Sequence, residues 1–104
     1  MEEVLNDSDF DAKVLASDGK VLVEFFATWC PHCQRMQPIL DDVAAKAAGA
    51  CAVYQVDVDK SPDLAAEYAP NGFPTYVLFM DGSKMKTLTG EQTEAALLGL
   101  AQQA

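Results

Sequence analysis

An apolar run at Val21–Phe26 limits what the chain can fold into more than any other feature. The run VLVEFF follows the turn signal Asp18-Gly19 and is rich in β-branched and aromatic residues, which predicts a strand buried on both faces of a sheet. Apolar residues then recur at helical spacing over Met36–Ala47, and Gly49 supplies a stop. A buried strand that leads into an amphipathic helix is typical of an α/β protein.

The remaining segments predict that residues 1–104 form one domain, a mixed five-stranded sheet flanked by four helices. The other expected strands are Val4-Leu5, Ala52–Val58, Thr75–Met80 and Met85–Leu88. The last two strands are predicted to form a hairpin across Asp81-Gly82-Ser83-Lys84. Helices are expected at Asp9–Ala16, from Pro31 with a kink at Pro38, from Ser61-Pro62-Asp63, and from Glu91 to Gln103.

The charge of the chain excludes two classes of partner. Seven Lys and Arg against 16 Asp and Glu give a net charge of -9, whereas binding to a nucleic-acid backbone needs clustered cations. An anionic membrane surface would repel the chain for the same reason. We expect a monomer that binds neither nucleic acid nor membrane.

The first ten residues favour the cytoplasm. MEEVLNDSDF is acidic where an export signal needs a basic start, and no apolar stretch is long enough to span a membrane. An initiating Met1 favours a chain made and kept in the cytosol. Disulfides in that compartment are usually transient or catalytic.

Two of the three cysteines lie at the predicted strand-to-helix junction. If the helix begins at Pro31, Cys30 is its N-cap, where free backbone N–H groups and the helix dipole stabilise a thiolate. Cys33 lies one turn further, close enough to displace a substrate from a mixed disulfide with Cys30. We therefore expect Cys30 to be the exposed attacking thiol and Cys33 the more buried resolving thiol. Trp29 beside them offers an apolar docking surface, or is only a packing residue.

Metal chemistry fits the cysteine pair less well. Zinc wants four ligands, and the chain adds only Cys51 and His32 to the pair. Covalent haem attachment needs a histidine directly after the second cysteine, where Gln34 stands. We expect no metal, and we expect Cys51 to be a small buried hydrophobe or, alternatively, a regulatory thiol.

Over nearly its whole length the sequence resembles the thioredoxin family. The matching segments are Val23–Ala27 running into Trp29-Cys30-Pro31-His32-Cys33, then Pro38, Gly72-Phe73-Pro74-Thr75, Gly82 and Gly90. The resemblance implies a thioredoxin fold and reversible dithiol–disulfide exchange with protein substrates. It also implies recharging by a thioredoxin reductase, and no bound cofactor beyond a redox-active Cys30–Cys33 disulfide.

The same resemblance assigns roles near the cysteines. It implies a cis Pro74, with Phe73 presenting its backbone to an extended substrate; an ordinary trans proline at a strand entry is the alternative. Glu24 corresponds to a buried acid that moves protons to and from the inner cysteine, unless it reaches solvent at the strand end. Burial should raise the pKa of Glu24. The usual lysine partner of that acid aligns with Gln55, so no positive charge opposes it.

The Pro31-His32 dipeptide departs from the Gly-Pro of typical thioredoxins and resembles that of bacterial periplasmic disulfide-forming oxidases. An imidazole at this position can donate to the Cys30 thiolate, or attract it when charged, which stabilises the reduced form and makes a stronger oxidant. We therefore expect an intermediate redox potential. The alternative is that His32 is a solvated helix-start residue.

These observations predict a protein disulfide reductase. Its catalytic residues are Cys30, Cys33, Glu24 and His32, and its substrate-binding residues are Trp29, Pro31, Phe73 and Pro74. Two alternatives stay open at this point: a more oxidising exchange or isomerase-like protein, and a thioredoxin-fold interaction module whose thiols take no part in catalysis.

Overall fold

A computed structural model describes residues 1–102. The helices are α1 (Asp7–Phe10), which continues into a π-helical segment (Asp11–Leu15), α2 (Pro31–Ala47), α3 (Pro62–Tyr68) and α4 (Glu94–Ala101). The strands are β1 (Lys20–Phe26), β2 (Cys51–Asp57), β3 (Thr75–Met80) and β4 (Ser83–Thr89). The element order after the first segment is the predicted one.

The four strands form one mixed sheet in the order β2-β1-β3-β4. β1 pairs in parallel with β2 and antiparallel with β3, and β3 and β4 form the expected hairpin. β1 is therefore a central strand, as its composition predicts, because it has a neighbour on each edge.

The prediction of a fifth strand at Val4-Leu5 is wrong. This segment makes a single parallel bridge from Val4 to Gln55, with hydrogen bonds from Leu5 N to Gln55 O at 2.8 Å and from Gln55 N to Glu3 O at 3.0 Å. The chain turns away directly afterwards, because the Asn6 side chain accepts from Asp9 N at 2.8 Å and starts α1. The opening helix therefore begins earlier than the predicted Asp9.

The closing helix begins later than predicted. Thr93, not Glu91, is placed to start it, because its hydroxyl accepts from Ala96 N at 3.1 Å and caps the first turn of α4. The predicted end at Gln103 lies outside the described residues. Within residues 1–102, no helix combines the length and the apolar character that crossing a membrane requires.

Alternation along β1 separates two buried clusters, one on each face of the sheet. Val21, Val23 and Phe25 pack with Phe10 and with Tyr68 of α3 on one face. On the other face, Leu22 joins an apolar cluster from α2 and α4 that includes Met36, Leu40, Val43, Leu97 and Leu100. Both faces of the sheet are thus covered, which fixes the end of β1 relative to the start of α2.

The turn between β3 and β4 depends on a glycine. Gly82 has a φ of 81°, and a Cβ built there would overlap the backbone carbonyl of Leu15. The contact is with backbone, so the neighbour cannot rotate away. We expect Gly82→Ala to lower the free energy of unfolding by about 2 kcal/mol or more, because it combines a strained φ with overpacking. The midpoint of urea denaturation measures this.

Gly99→Ala is the matched control. Gly99 lies within α4, and no heavy atom lies within 4 Å of the position that a Cβ would take there. Alanine in an exposed helix interior should stabilise by roughly 0.5 to 1 kcal/mol. Equal denaturation midpoints for the two variants would contradict the account of the turn.

Candidate active site

The cysteine pair lies where β1 gives way to α2. Cys30 has an extended backbone, with φ -86° and ψ 115°, and its sulfur accepts from Cys33 N at 3.3 Å. It is therefore the N-cap of α2, and Pro31 occupies the first turn, as predicted. The donated amide and the helix dipole at this end both favour negative charge on the Cys30 sulfur.

The expected contrast in exposure between the two cysteines is wrong. Cys30 is 5% exposed and Cys33 is 4% exposed. Cys30 is covered because the segment before β3 crosses over it, with its sulfur 4.0 Å from the carbonyl oxygen of Phe73. All three cysteines are free thiols, and Cys51 is buried at the start of β2 as a small apolar residue.

The surroundings of Cys33 favour its neutral form. Burial, aided by the hydrogen bond with Cys30, raises the pKa of Cys33 to about 12. Cys33 therefore stays a neutral thiol at physiological pH, while its backbone N–H donates to Cys30. The Cys30 sulfur thus accepts a hydrogen bond from a backbone N–H, and the Cys33 sulfur keeps its proton.

An apolar surface adjoins the thiols. The Phe73–Pro74 peptide bond is cis, which confirms that prediction. Trp29 is 62% exposed, so it is not a core residue, and its ring packs edge-on against Phe73 with centroids 6.2 Å apart. Pro31 is exposed and Pro74 is buried.

Sequence reasoning missed the partner that orients the tryptophan. The Trp29 indole Nε1 donates to Asp59 Oδ2 at 2.8 Å. Asp59 follows β2, and nothing in the local pattern of charges distinguishes it from a solvated strand end. Only the general rule that an indole N–H finds an acceptor could have pointed to it.

Glu24 is fully buried, which confirms the expected burial and removes the solvent-reaching alternative. It lies in register with Gln55 on β2 and with Tyr76 on β3. Gln55 Nε2 donates to Glu24 Oε1 at 2.7 Å, and the Tyr76 hydroxyl donates to Oε2 at 2.6 Å. Burial raises the pKa of Glu24, as predicted, while these two donors act in the opposite direction.

An amide takes the place of the absent positive charge beside Glu24. The Gln55 side chain is itself held by Gln37 of α2, since Gln55 Nε2 donates to Gln37 Oε1 at 3.0 Å. Gln37 Nε2 in turn donates to Asp41 Oδ1 at 2.9 Å. Sequence reasoning did not identify three residues of the site, which are Gln37, Gln55 and Tyr76. It noted Gln55 only as the position where the usual lysine is absent.

His32 forms its hydrogen bonds with side chains other than the cysteine it was expected to influence. Its Nδ1 lies 2.5 Å from Glu91 Oε2 and 2.7 Å from Arg35 Nη2. Within residues 1–102, none of its hydrogen bonds reaches Cys30. The imidazole is mostly exposed, as in the alternative of a solvated helix-start residue.

No metal centre is formed by the described residues. Across residues 1–102, no three or more His, Cys, Asp or Glu side chains come together in a group that could hold an ion.

Comparison with known proteins agrees with this geometry. A family model described as Thioredoxin matches residues 2–103. The chain belongs to the thioredoxin family. As a thioredoxin-family protein it is a thiol-disulfide oxidoreductase, with a thioredoxin fold whose sheet has four strands within residues 1–102.

Individual relatives support the assignment to the thioredoxin family. The thioredoxin of Mycobacterium tuberculosis (strain ATCC 25618 / H37Rv) is 38% identical over 94 residues, which cover 90% of this chain and 81% of that protein. The bifunctional thioredoxin reductase/thioredoxin of Mycobacterium leprae is also 38% identical over 94 residues, but the match covers only 20% of that longer protein. The structure of a mutant thioredoxin from Halobacterium salinarum NRC-1 superposes with a TM-score of 0.84 at 35% identity. That match covers 97% of this chain and 87% of the other.

The raised pKa of Cys33 predicts a specific titration. In a Cys30→Ser, Cys51→Ser variant, thiolate absorbance should appear only well above the ordinary pKa of 9.0, because burial, the largest cause of the raised pKa, remains when Cys30 is replaced. The same variant unfolded in urea should ionise near the ordinary pKa of 9.0. Ionisation of the folded variant at the unfolded value would contradict the account.

The same shift links Cys33 to stability. Its folded-state pKa lies above its ordinary value, so the contribution is fully present below the unfolded pKa of 9.0 and is lost as pH rises toward 12. The free energy of unfolding of the Cys30→Ser, Cys51→Ser variant should therefore fall with rising pH above 9.0. The fall should be steeper than in the variant that carries Cys33→Ala in addition. Urea denaturation at a series of pH values measures the difference.

Proposed function

We propose that this protein reduces protein disulfides by dithiol–disulfide exchange, as a single domain over residues 1–104. The observation that carries the proposal is the Cys30 sulfur at the N-cap of α2, accepting from Cys33 N at 3.3 Å. A sulfur held at an amide-rich helix start is favoured as the thiolate nucleophile. The match to the thioredoxin family over residues 2–103 supports the same reaction and the single domain.

The exchange proceeds in two balanced steps. The Cys30 thiolate attacks a substrate disulfide, forming a mixed disulfide and releasing one substrate sulfur as a thiolate, which takes a proton. Cys33 then loses its proton and attacks the Cys30 sulfur, so that the Cys30–Cys33 disulfide forms and the second substrate sulfur leaves. Two electrons pass from the dithiol to the substrate.

The first step prepares Cys33 for the second. In the dithiol, a hydrogen bond with Cys30 and the charge of Cys30 are among the causes that raise the pKa of Cys33. A mixed disulfide removes both the charge and the thiol at Cys30. Cys33 therefore becomes easier to deprotonate at the point in the cycle where it must attack.

Glu24 is the proposed acceptor of the Cys33 proton. Its charge acts on Cys33, since Glu24 is one of the causes of the raised Cys33 pKa. Burial also raises the pKa of Glu24, which brings the two groups closer in proton affinity and suits transfer between them. Tyr76 and Gln55 limit that rise by donating to the carboxylate.

Substrate docking is assigned to the surface formed by Trp29, Pro31, Phe73 and Pro74. The exposed Trp29 ring and the Phe73 ring pack together, and the Phe73 carbonyl lies over the Cys30 sulfur. An extended segment placed along this surface would bring its disulfide to Cys30. Aromatic rings with an exposed face are typical of such recognition surfaces.

We propose a thioredoxin reductase as the electron donor and protein disulfides as substrates. The name of the Mycobacterium leprae relative joins a reductase and a thioredoxin in one protein, which supports this pairing. The reaction needs no bound cofactor, because the electrons reside in the two sulfurs. We also propose a cytoplasmic monomer that binds neither nucleic acid nor membrane, since disulfides in the cytosol are usually transient or catalytic and the net charge is -9.

Cysteine variants test the proposed order of attack. With dithiothreitol as reductant, wild-type protein should accelerate insulin reduction, followed as turbidity, and a Cys30→Ser variant should not. Cys33→Ser should accumulate a covalent adduct with substrate, because Cys30 attacks and nothing resolves the mixed disulfide. The adduct is visible on a non-reducing gel.

Two outcomes would favour the alternatives. A Cys30→Ser, Cys33→Ser variant as active as wild type would support an interaction module without thiol chemistry. Adduct formation by Cys30→Ser in place of Cys33→Ser would reverse the roles of the two cysteines. Cys51→Ser is the matched control and should behave like wild type.

Tyr76→Phe tests the role of Glu24 without removing the carboxyl. The hydroxyl lowers the pKa of Glu24, so its loss should raise that pKa further and leave less of the ionised base at neutral pH. The decay of the mixed disulfide should slow by roughly three- to tenfold at pH 7, and its pH profile should move to higher pH. Stopped-flow measurement of the second step gives both quantities.

Tyr68→Phe is the control for this variant. Tyr68 packs on the opposite face of the sheet, against the rings of Phe10 and Phe25. Its pH profile should match that of wild type. A profile unchanged in Tyr76→Phe as well would remove Glu24 from the proton transfer.

A further inference from the structure

A charged cluster that the proposed reaction does not use lies beside the thiols. It consists of His32 and Arg35, both on α2, and Glu91, which follows β4. Arg35 Nε and Nη2 donate to Glu91 Oε2 at 3.2 Å and 2.8 Å, and His32 Nδ1 lies 2.5 Å from the same oxygen. One carboxylate oxygen thus holds both basic side chains.

The geometry keeps the imidazole occupied in either protonation state. Arg35 has only donors, so His32 Nδ1 accepts from Arg35 when it lacks a hydrogen and donates to Glu91 when it carries one. Arg35 and His32 together lower the pKa of Glu91 to about 2, so the carboxylate stays charged at neutral pH. The cluster therefore contains the negative charge of Glu91 at neutral pH.

This cluster is within electrostatic range of the reactive sulfur. The charge of Cys30 is among the causes that raise the pKa of Arg35, after the contacts with Glu91. His32 is two residues from Cys30 along the chain. Positive charge on either side chain favours the Cys30 thiolate, and Glu91 offsets it.

We propose that Glu91 is a positioning residue that holds His32 and Arg35 together and offsets their charge, so that the Cys30–Cys33 pair is more reducing than it would be without this carboxylate. Stabilising the thiolate favours the dithiol and makes a stronger oxidant, so weakening that stabilisation has the reverse effect. The inference rests on the proposed thiol–disulfide exchange.

The test is the equilibrium between the protein disulfide plus two glutathione molecules and the protein dithiol plus glutathione disulfide. Glu91→Gln keeps an acceptor oxygen but removes the charge. At pH 7 and low salt it should shift the equilibrium toward the dithiol by roughly two- to fivefold, the range expected for an exposed charge. Glu91→Ala, which also releases both basic side chains, should shift it at least as far.

Glu94→Gln is the matched control. Glu94 makes a comparable exposed ion pair with Lys46 Nζ at 2.8 Å, and it lies three residues along the chain from Glu91. Its loss changes the net charge equally and should leave the equilibrium within error of wild type. The Glu91→Gln shift should also shrink in about 1 M salt, because exposed charges are screened.

A His32→Ala, Arg35→Met background distinguishes two ways in which Glu91 could act on Cys30. The carboxylate could offset the charges of His32 and Arg35, as proposed, or it could repel the thiolate directly. In that background Glu91→Gln should lose most of its effect, since the charges that Glu91 offsets are gone. An unchanged equilibrium in Glu91→Gln, a shift toward the disulfide, or a shift equal to that of Glu94→Gln would overturn the proposal. Because the measurement needs no protein substrate, each of these results leaves the insulin-reduction test of the proposed function standing.

Discussion

The double pairing of β1 is the constraint on which the rest of the structure depends. β2 and β3 fix its two edges, and apolar clusters cover its two faces. Because the strand cannot shift by one residue without turning its buried side chains to the wrong face, its end is fixed in space. That end delivers Cys30 to the first turn of α2, and the same register sets Glu24 between Gln55 and Tyr76.

The two cysteines differ in their position on α2 more than in their access to solvent. Cys30 and Cys33 are almost equally buried, yet one receives a backbone N–H and the other lies where burial raises its pKa. Two similarly buried thiols thus have different neighbours, because one lies at the N-cap of α2 and the other one turn inside it. In the proposed exchange, a substrate would have to displace or follow the segment at Phe73 to reach the Cys30 sulfur, so that docking and access would be one event.

The sequence predicted the elements that local patterns determine, and missed those that depend on distant segments. The buried strand at Val21–Phe26 and the helix start at Pro31 lie where their composition placed them. The fifth strand failed because Asn6 caps a helix and diverts the chain after one bridge. Tyr76 is an ordinary strand aromatic until the antiparallel register of β1 and β3 makes it a donor to the buried acid. Glu91 likewise is one of 16 acidic residues until the fold brings it to α2, so no local motif encodes either contact.

Neutral donors around Glu24 are consistent with the proton transfer proposed for it. A lysine would hold a buried carboxylate ionised, because separating a buried pair leaves an uncompensated charge. Tyr76 and Gln55 stabilise the ionised form less strongly, while burial favours the protonated form. The two effects oppose each other, which is the balance that the proposed mechanism needs if the carboxyl is to accept the proton of Cys33 when the disulfide forms and return it when the disulfide is reduced.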